Sequence, residues 1–202
     1  MPSLLITGTR DPNRAVLSNA ELLAPCLVAY LRRQTRQTLK ILTAPADLSS
    51  LNWEAFWQNY ISLQQAHPWV AVVYPGSAGD SIDTHLSVAD WAHDWRLPLL
   101  LTLPLEPWSV SQAVAFTALV RQAGAALLGV VLVQGQESPA SSLDLIVTAI
   151  QLRCSVPVLG MIPLTRLISA TTDSDRADLG AQLNWQVLES VSAIPSNGLG
   201  VR

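Results

Sequence analysis

The stretch "LLITGTRDPNRAVLSNAELL", Leu4 to Leu23, has the layout of the opening strand, loop and helix of a nucleotide-binding α/β protein. Leu4 to Thr7 is a β-rich apolar run, Thr7-Gly8-Thr9 turns the chain, and an apolar helical pattern follows. A phosphate-binding loop closes on a glycine, a lysine and a threonine. No such closing triplet follows the turn here.

Working outward, short apolar runs alternate with longer amphipathic segments. That is the pattern of a parallel sheet covered by helices on both faces. The runs Ser3 to Thr7, Leu39 to Thr43, Trp69 to Tyr74, Leu99 to Leu103, Leu127 to Val133 and Val156 to Met161 are nearly continuously apolar, as strands buried on both faces should be. The expected fold is a doubly wound α/β sandwich with a mainly parallel sheet of six to seven strands. Trp53, Phe56, Trp57, Tyr60 and Ile61 fall at helical spacing on one face, and Asn52 precedes them as an N-cap. Further helices are expected over Thr84 to Arg96, Ser109 to Ala123, Ser141 to Arg153 and Asp175 to Val191. Pro25 should kink or split the first helix, because proline lacks the backbone donor and clashes with the preceding turn. Residues 1–202 read as one domain, with a loose tail over about 194–202.

Half of the 202 residues are hydrophobic and 13% are charged, against about 25% in an average soluble protein. So few charges favour a buried oligomer interface or a standing partner. A net charge of -3 gives no electrostatic case for nucleic acid or an anionic membrane. The densest apolar stretch, "LPLLLTLPLEPW", is interrupted by Pro98, Pro104 and Pro107, and no run reaches the ~18 apolar residues of a membrane span. The start, "MPSLLITG", lacks the basic and hydrophobic regions of a signal peptide. Cys26 and Cys154 lie far apart in apolar surroundings and read as buried free thiols in a reducing cytoplasm.

The order of these segments resembles dethiobiotin synthetase, in the wider group of P-loop proteins that includes the cobyrinic acid amide synthases. That family opens with a strand and T-G-T-D-T-x-x-G-K-T, and this chain has Thr7-Gly8-Thr9-Arg10-Asp11-Pro12-Asn13-Arg14-Ala15-Val16. A later apolar strand ends in E-G-A-G-G there and in "VVYPGSAG" here. The segments "SVADWAHDWRLPLLLTL", "GVVLVQ" and "VPVLGMIP" follow in family order, so the resemblance runs over about residues 3 to 163.

The resemblance implies Mg–ATP chemistry, and the residues depart from it. Glycines let backbone N–H groups close round the phosphates, the lysine neutralises oxygens and the hydroxyl ligates Mg²⁺. Arg14, Ala15 and Val16 replace those three, and Arg10 stands for the loop aspartate. Pro75 falls on the metal-binding glutamate, and Val133 on the asparagine used for the base. Of the functional side chains compared, Lys40 alone is retained, on the strand where the family keeps a substrate-contacting lysine. Phosphoryl transfer depends almost entirely on charge neutralisation and metal ligation, so ATP turnover is not expected, and neither a Mg–ATP cofactor nor a metal site.

What remains is weighed residue by residue. Arg10 and Arg14 could grip an anion at the following helix, or lie on the surface beside Asp11, which is the favoured reading. The turn Tyr74 to Asp80 lies where ligands bind in open α/β sheets, so Pro75, Gly76, Ser77, Gly79 and Asp80 join Lys40 as candidate cleft residues, while Gly8 and Thr9 count with Arg10, Arg14, Ala15 and Val16 as positions of the degenerate nucleotide loop. The competing reading is a tight turn retained from ancestry. His85 and His93, with Asp90 and Asp94, read as exposed residues of one helix rather than metal ligands. Ser77 lacks a nucleophile-elbow context. Asp173, Asp175 and Asp178 cap and charge-complement the last helix, with Asp173 or Ser174 as the cap. Of seven tryptophans, Trp91 and Trp95 could form an exposed ledge for a protein partner.

Three functions compete at this stage. The favoured one is a dethiobiotin-synthetase-like pseudoenzyme, homodimeric by the resemblance and acting by protein binding, assembly or regulation. The others are an ATP-dependent ligase or amidotransferase-like enzyme with an atypical nucleotide site, and a small-molecule sensor using the old substrate cleft.

Overall fold

Six apolar segments pair into one sheet in which every neighbouring pair is parallel. The computed structural model describes residues 2–9, 17–36, 38–135 and 143–186. The strands are β1 (Ser3–Gly8), β2 (Leu39–Thr43), β3 (Trp69–Val73), β4 (Leu99–Pro104), β5 (Leu127–Gln134) and β6 (Val158–Pro163), in the order β2-β3-β1-β4-β5-β6. Every residue of β1 and β3 is buried, which explains their unbroken apolar reading.

The helices are α1 (Asn19–Thr35), α2 (Trp53–Ala66), α3 (Val88–Asp94), α4 (Ser109–Gln122), α5 (Leu143–Cys154), α6 (Leu164–Ser169) and α7 (Asp173–Gly180). Successive strand residues point to opposite faces, so the sheet feeds two cores. Leu5, Val70, Val72, Leu99 and Leu101 meet α2, α3, α4 and α5 on one face. Leu4, Ile6, Ala71, Val73 and Leu100 meet α1, α6 and α7 on the other. The chain leaves β1 through α1 on this second face and leaves β3 and β4 through helices on the first. The connections therefore diverge at the top of β1, where open α/β sheets form their ligand crevice.

Several expectations shift. α1 runs unbroken through Pro25. Proline costs it one backbone bond, but Leu23, Ala24, Cys26 and Leu27 around it are buried against the sheet, and tertiary packing holds the helix together. α3 begins at Val88 rather than Thr84, because the Asp83 carboxylate accepts the N–H groups of His85 and Leu86 in a turn and Ser87 then caps the helix. His85 is therefore off the helix that carries His93. β6 begins at Val158, because Pro157 has no N–H to give and contributes its carbonyl to Val130 N instead. The helix expected over Asp175 to Val191 is α7, already ended at Gly180, and residues 187–202, including the proposed tail, lie outside the described residues. Thr172 caps it in place of Asp173 or Ser174. α6 was not anticipated: its six residues are too few to show a helical period.

Cys26 and Cys154 are free and buried, as their surroundings suggested. Burial pushes the Cys26 thiol up to about 11, against a smaller opposing pull from Arg176. No helix among the described residues is long and apolar enough to cross a membrane.

α7 docks on α1 through Gly180. A Cβ there would lie 2.7 Å from both the Cys26 carbonyl oxygen and the Tyr30 Cβ. Arg32–Asp173 (3.0 Å) and Arg33–Asp178 (2.6 Å) flank this contact in solvent and contribute little beside it. Gly180→Leu should therefore lower stability by ~1–3 kcal/mol through overpacking, while Arg32→Ala changes it by ~0.5 kcal/mol or less. Chemical denaturation of both variants checks the ordering.

Candidate ligand cleft

At the carboxyl end of β1 the chain is gripped from both sides. Thr7 Oγ1 and Gly8 N both donate to the Gly76 carbonyl, at 2.7 and 3.1 Å, tying β1 to the turn after β3. Thr9 N donates to the Thr102 carbonyl of β4 at 3.3 Å. A Cβ on Gly8 would run into the Thr102 hydroxyl and carbonyl oxygens, so this close approach requires glycine. Arg10, Arg14, Ala15 and Val16 lie outside the described residues.

The turn Tyr74 to Asp80 closes on its own acid. The Asp80 Oδ2 accepts from the Tyr74 hydroxyl at 2.8 Å and from Ser77 N at 2.9 Å. Ser77 Oγ accepts from Gly79 N, and Asp80 N donates to the Ser77 carbonyl. The Ala78 and Asp80 carbonyls then accept from Ala89 N and Val88 N, so the turn is clamped onto the start of α3. A side chain on Gly76 would collide with the Tyr74 ring, 2.6 Å from the added Cβ, and with the Asp80 carboxylate. Pro75 and Gly76 are buried, Ser77 and Asp80 half-buried, and Gly79 exposed. The structure thus gathers Gly8, Thr9, Pro75, Gly76 and Ser77 at one end of the sheet. Asp80 is with them, its Oδ2 held by the turn.

Lys40 is not among them. It pairs in register with Val70, which pairs with Ser3, so it stands level with the first residue of β1. Five residues of strand separate that level from Gly8, roughly 16 Å at the rise of a parallel strand. Lys40 is an exposed residue of the edge strand β2, away from the carboxyl ends of the strands.

α1 opens with a capping box. Ser18, extended at φ -75° and ψ 162°, accepts from Glu21 N at 3.2 Å, and the Glu21 carboxylate accepts from Ser18 N at 2.7 Å. The sequence signature of this box is Ser18-x-x-Glu21, a cap pattern that a phosphate-loop motif does not contain. An acid of the chain therefore stands at the positive end of the helix that follows the loop.

The aromatic ledge is corrected. Trp91 is 3% exposed and lies in a six-ring cluster with Trp53, Phe56, Trp57, Tyr60 and Trp95. Trp95 is half-buried and stacks on Phe56 and Tyr60, with ring centroids 5.8 and 5.2 Å away. The i, i+4 spacing that suggested a ledge is also the spacing of a face packed onto a neighbouring helix, here α2. Trp108, at the start of α4, is 54% exposed instead.

The sheet order, the switch at β1 and the close-packed turns at its carboxyl end define a P-loop-type α/β domain. Residues 35–172 match the family model described as an AAA domain. The ATP-dependent dethiobiotin synthetase BioD of Gloeothece citriformis is 33% identical over 124 residues, covering 60% of this chain and 55% of that protein. The one from Crocosphaera subtropica is 30% identical over 191 residues, covering 92% of this chain and 82% of that protein. The chain thus belongs to the dethiobiotin synthetase family as a divergent member, although its match spans only a little over half the length of the Gloeothece relative. A ParA family ATPase from Chlorobium tepidum shares the fold, with a TM-score of 0.54, 10% identity, and coverage of 95% of this chain and 97% of the other.

The Asp80 lock is testable. Asp80→Ala removes the acceptor shared by the Tyr74 hydroxyl and Ser77 N, and should cost ~1–3 kcal/mol in thermal or chemical unfolding. Asp80→Asn keeps a carbonyl acceptor and should lose less. Equal losses would mean that charge rather than hydrogen bonding holds the turn.

Proposed function

We propose that this member of the family is a pseudoenzyme, a dethiobiotin-synthetase-like scaffold without ATP chemistry that works by binding: as a protein-binding, assembly or regulatory factor. It would act in the cytoplasm and as a homodimer, as the resemblance implies. The observation that carries this reading is the Ser18–Glu21 capping box. In a phosphate loop the helix N-terminus presents free N–H groups and a positive dipole to the anion. Here α1 starts only at Asn19, and the Glu21 carboxylate lies at that end. A phosphate would meet a like charge.

The residue types agree. Ala15 and Val16 offer neither ammonium nor hydroxyl, Pro75 offers no carboxylate, and the Asp80 Oδ2 is held within its turn. These side chains do not fit Mg–ATP as the family binds it, so no step of phosphoryl transfer is assigned to them.

Calorimetric titration with Mg–ATP should give no saturable binding below the millimolar range. Against a micromolar site that is a loss of at least ~4 kcal/mol. Saturable micromolar binding would overturn the proposal. Restoring Arg14→Gly, Ala15→Lys and Val16→Thr together with Glu21→Ala should bring back measurable phosphate affinity without turnover, because the carboxylate at Pro75 is still missing. Turnover by that variant would show that the metal ligand comes from elsewhere.

A further inference from the structure

One side of the molecule carries acids without a lysine or arginine of its own. From Ile41 through Trp95, the stretch that builds α2, the turn after β3 and α3, the chain has Asp47, Glu54, Asp80, Asp83, Asp90 and Asp94 and neither lysine nor arginine. The opposite layer is mixed. There Arg32 and Arg33 of α1 pair with Asp173 and Asp178 of α7. Cations on neighbouring elements are engaged elsewhere. Arg121 of α4 donates to the Cys154 carbonyl on α5, and Arg96, just past α3, borders a separate hollow with His93 and Gly124.

The acidic side also has a recess. Between the loop 81–87 and the last turn of α4 lies a cavity of about 310 Å³, lined in part by Asp83, His85, Leu86, Ser87, Asp90 and Gln122. The loop is a small hairpin, bridged at Ser81 and Ser87, with Ile82 N and Asp83 N both donating to the Leu86 carbonyl. Each carboxylate of the recess uses one oxygen on its own turn. Asp83 Oδ1 accepts from His85 N and Leu86 N, and Asp90 Oδ2 accepts from the hydroxyl and the N–H of Ser87. Asp83 Oδ2 and Asp90 Oδ1 have no hydrogen-bond partner among the described residues. The N–H groups of His85 and Leu86 hold the Asp83 carboxyl below the usual range, and the hydroxyl and N–H of Ser87 do the same for Asp90. Both are therefore ionised at neutral pH. Leu86 stands beside them, 41% exposed.

We infer that this recess is a docking site for a basic segment of a partner protein, seating an arginine side chain between Asp83 and Asp90. Charge selects the partner. A guanidinium presents its donors in a rigid fork, and the spare carboxylate oxygens and the Gln122 carboxamide are acceptors for it. The apolar stem of the same side chain covers Leu86. The acids spread over α2 and α3 extend the attraction to basic residues on either side of that arginine. Nucleic acid and anionic membranes are repelled by the same charges. The size of the recess suits one long side chain rather than a folded element.

The inference rests on the reading of this chain as a binding protein and names the kind of partner. Peptide binding reads the recess and the Mg–ATP titration reads the cleft, so either proposal can fail alone.

Calorimetry of the full chain with a short peptide of alternating arginine and glycine tests it. Binding should be saturable with a micromolar dissociation constant, and should weaken ~10-fold or more between ~0.05 and ~0.5 M salt. The same peptide with citrulline for arginine, which keeps the shape and loses the charge, should not bind. Gln122→Arg puts a guanidinium of the chain itself into the recess and should weaken binding of the arginine peptide by ~10-fold or more. Asp83→Asn with Asp90→Asn keeps a carbonyl acceptor for each turn and should do the same, its folding checked by the melting curve. Asp173→Asn, in the opposite layer, should leave binding unchanged. Absence of saturable binding would overturn the inference. So would equal binding of the citrulline peptide, binding that survives both recess variants, or an equal loss in Asp173→Asn. Free arginine amide bound as tightly as the peptide would overturn it too, by making the recess a small-molecule site.

Discussion

The architecture depends on how closely β1 can approach its neighbours at its carboxyl end. Gly8 lies against Thr102 with no room for a Cβ, and its N–H reaches the Gly76 carbonyl. The same carbonyl takes the Thr7 hydroxyl, so one oxygen fixes both the last strand residue and the turn after β3. Any side chain at position 8 would push β1 away from β4 and withdraw Gly8 N from that oxygen. A backbone carbonyl this deep needs a donor, and two converge on it. The end of β1 and the turn after β3 are thus held together by backbone chemistry, and the close approach depends on Gly8 and Gly76.

Two acids near this end of the sheet, Glu21 and Asp80, accept from the chain itself. Glu21 closes the start of α1, and Asp80 closes the turn that leads to α3. An acid that accepts backbone N–H groups stabilises its own loop and has less capacity left for a metal. The carboxylates of Glu21 and Asp80 are both engaged in hydrogen bonds to their own turns.

The sheet was legible because its strands are buried on both faces. Continuous apolar runs such as "WVAVV" leave no other reading, and all six were found with errors of one or two residues at their ends. The helix α2 was legible for the same reason, its stripe from Trp53 to Ile61 being the side that packs. Short elements were not. α6 is shorter than two turns, and the true start of α3 depends on an aspartate turn whose hydrogen bonds leave no periodicity. Lys40 misled because a strand residue's height in the sheet depends on register, which a linear motif does not encode. Trp91 and Trp95 misled because helical spacing marks a packed face without saying whether the packing partner belongs to the same chain.

Charge distribution carries the last step. A layered α/β fold needs one apolar face per helix, and α1 and α7 meet that pattern, with Arg32, Arg33, Asp173 and Asp178 on their outer sides. α4 and α5 mix the two, with exposed Val114, Leu145 and Leu152 beside exposed Arg121, Asp144, Thr148, Gln151 and Arg153. Leu145 and Leu152 stand diametrically opposite Ile150, where folding alone gives no reason for leucine. The sheet edge at β2 carries exposed Lys40, a charge that discourages strand addition.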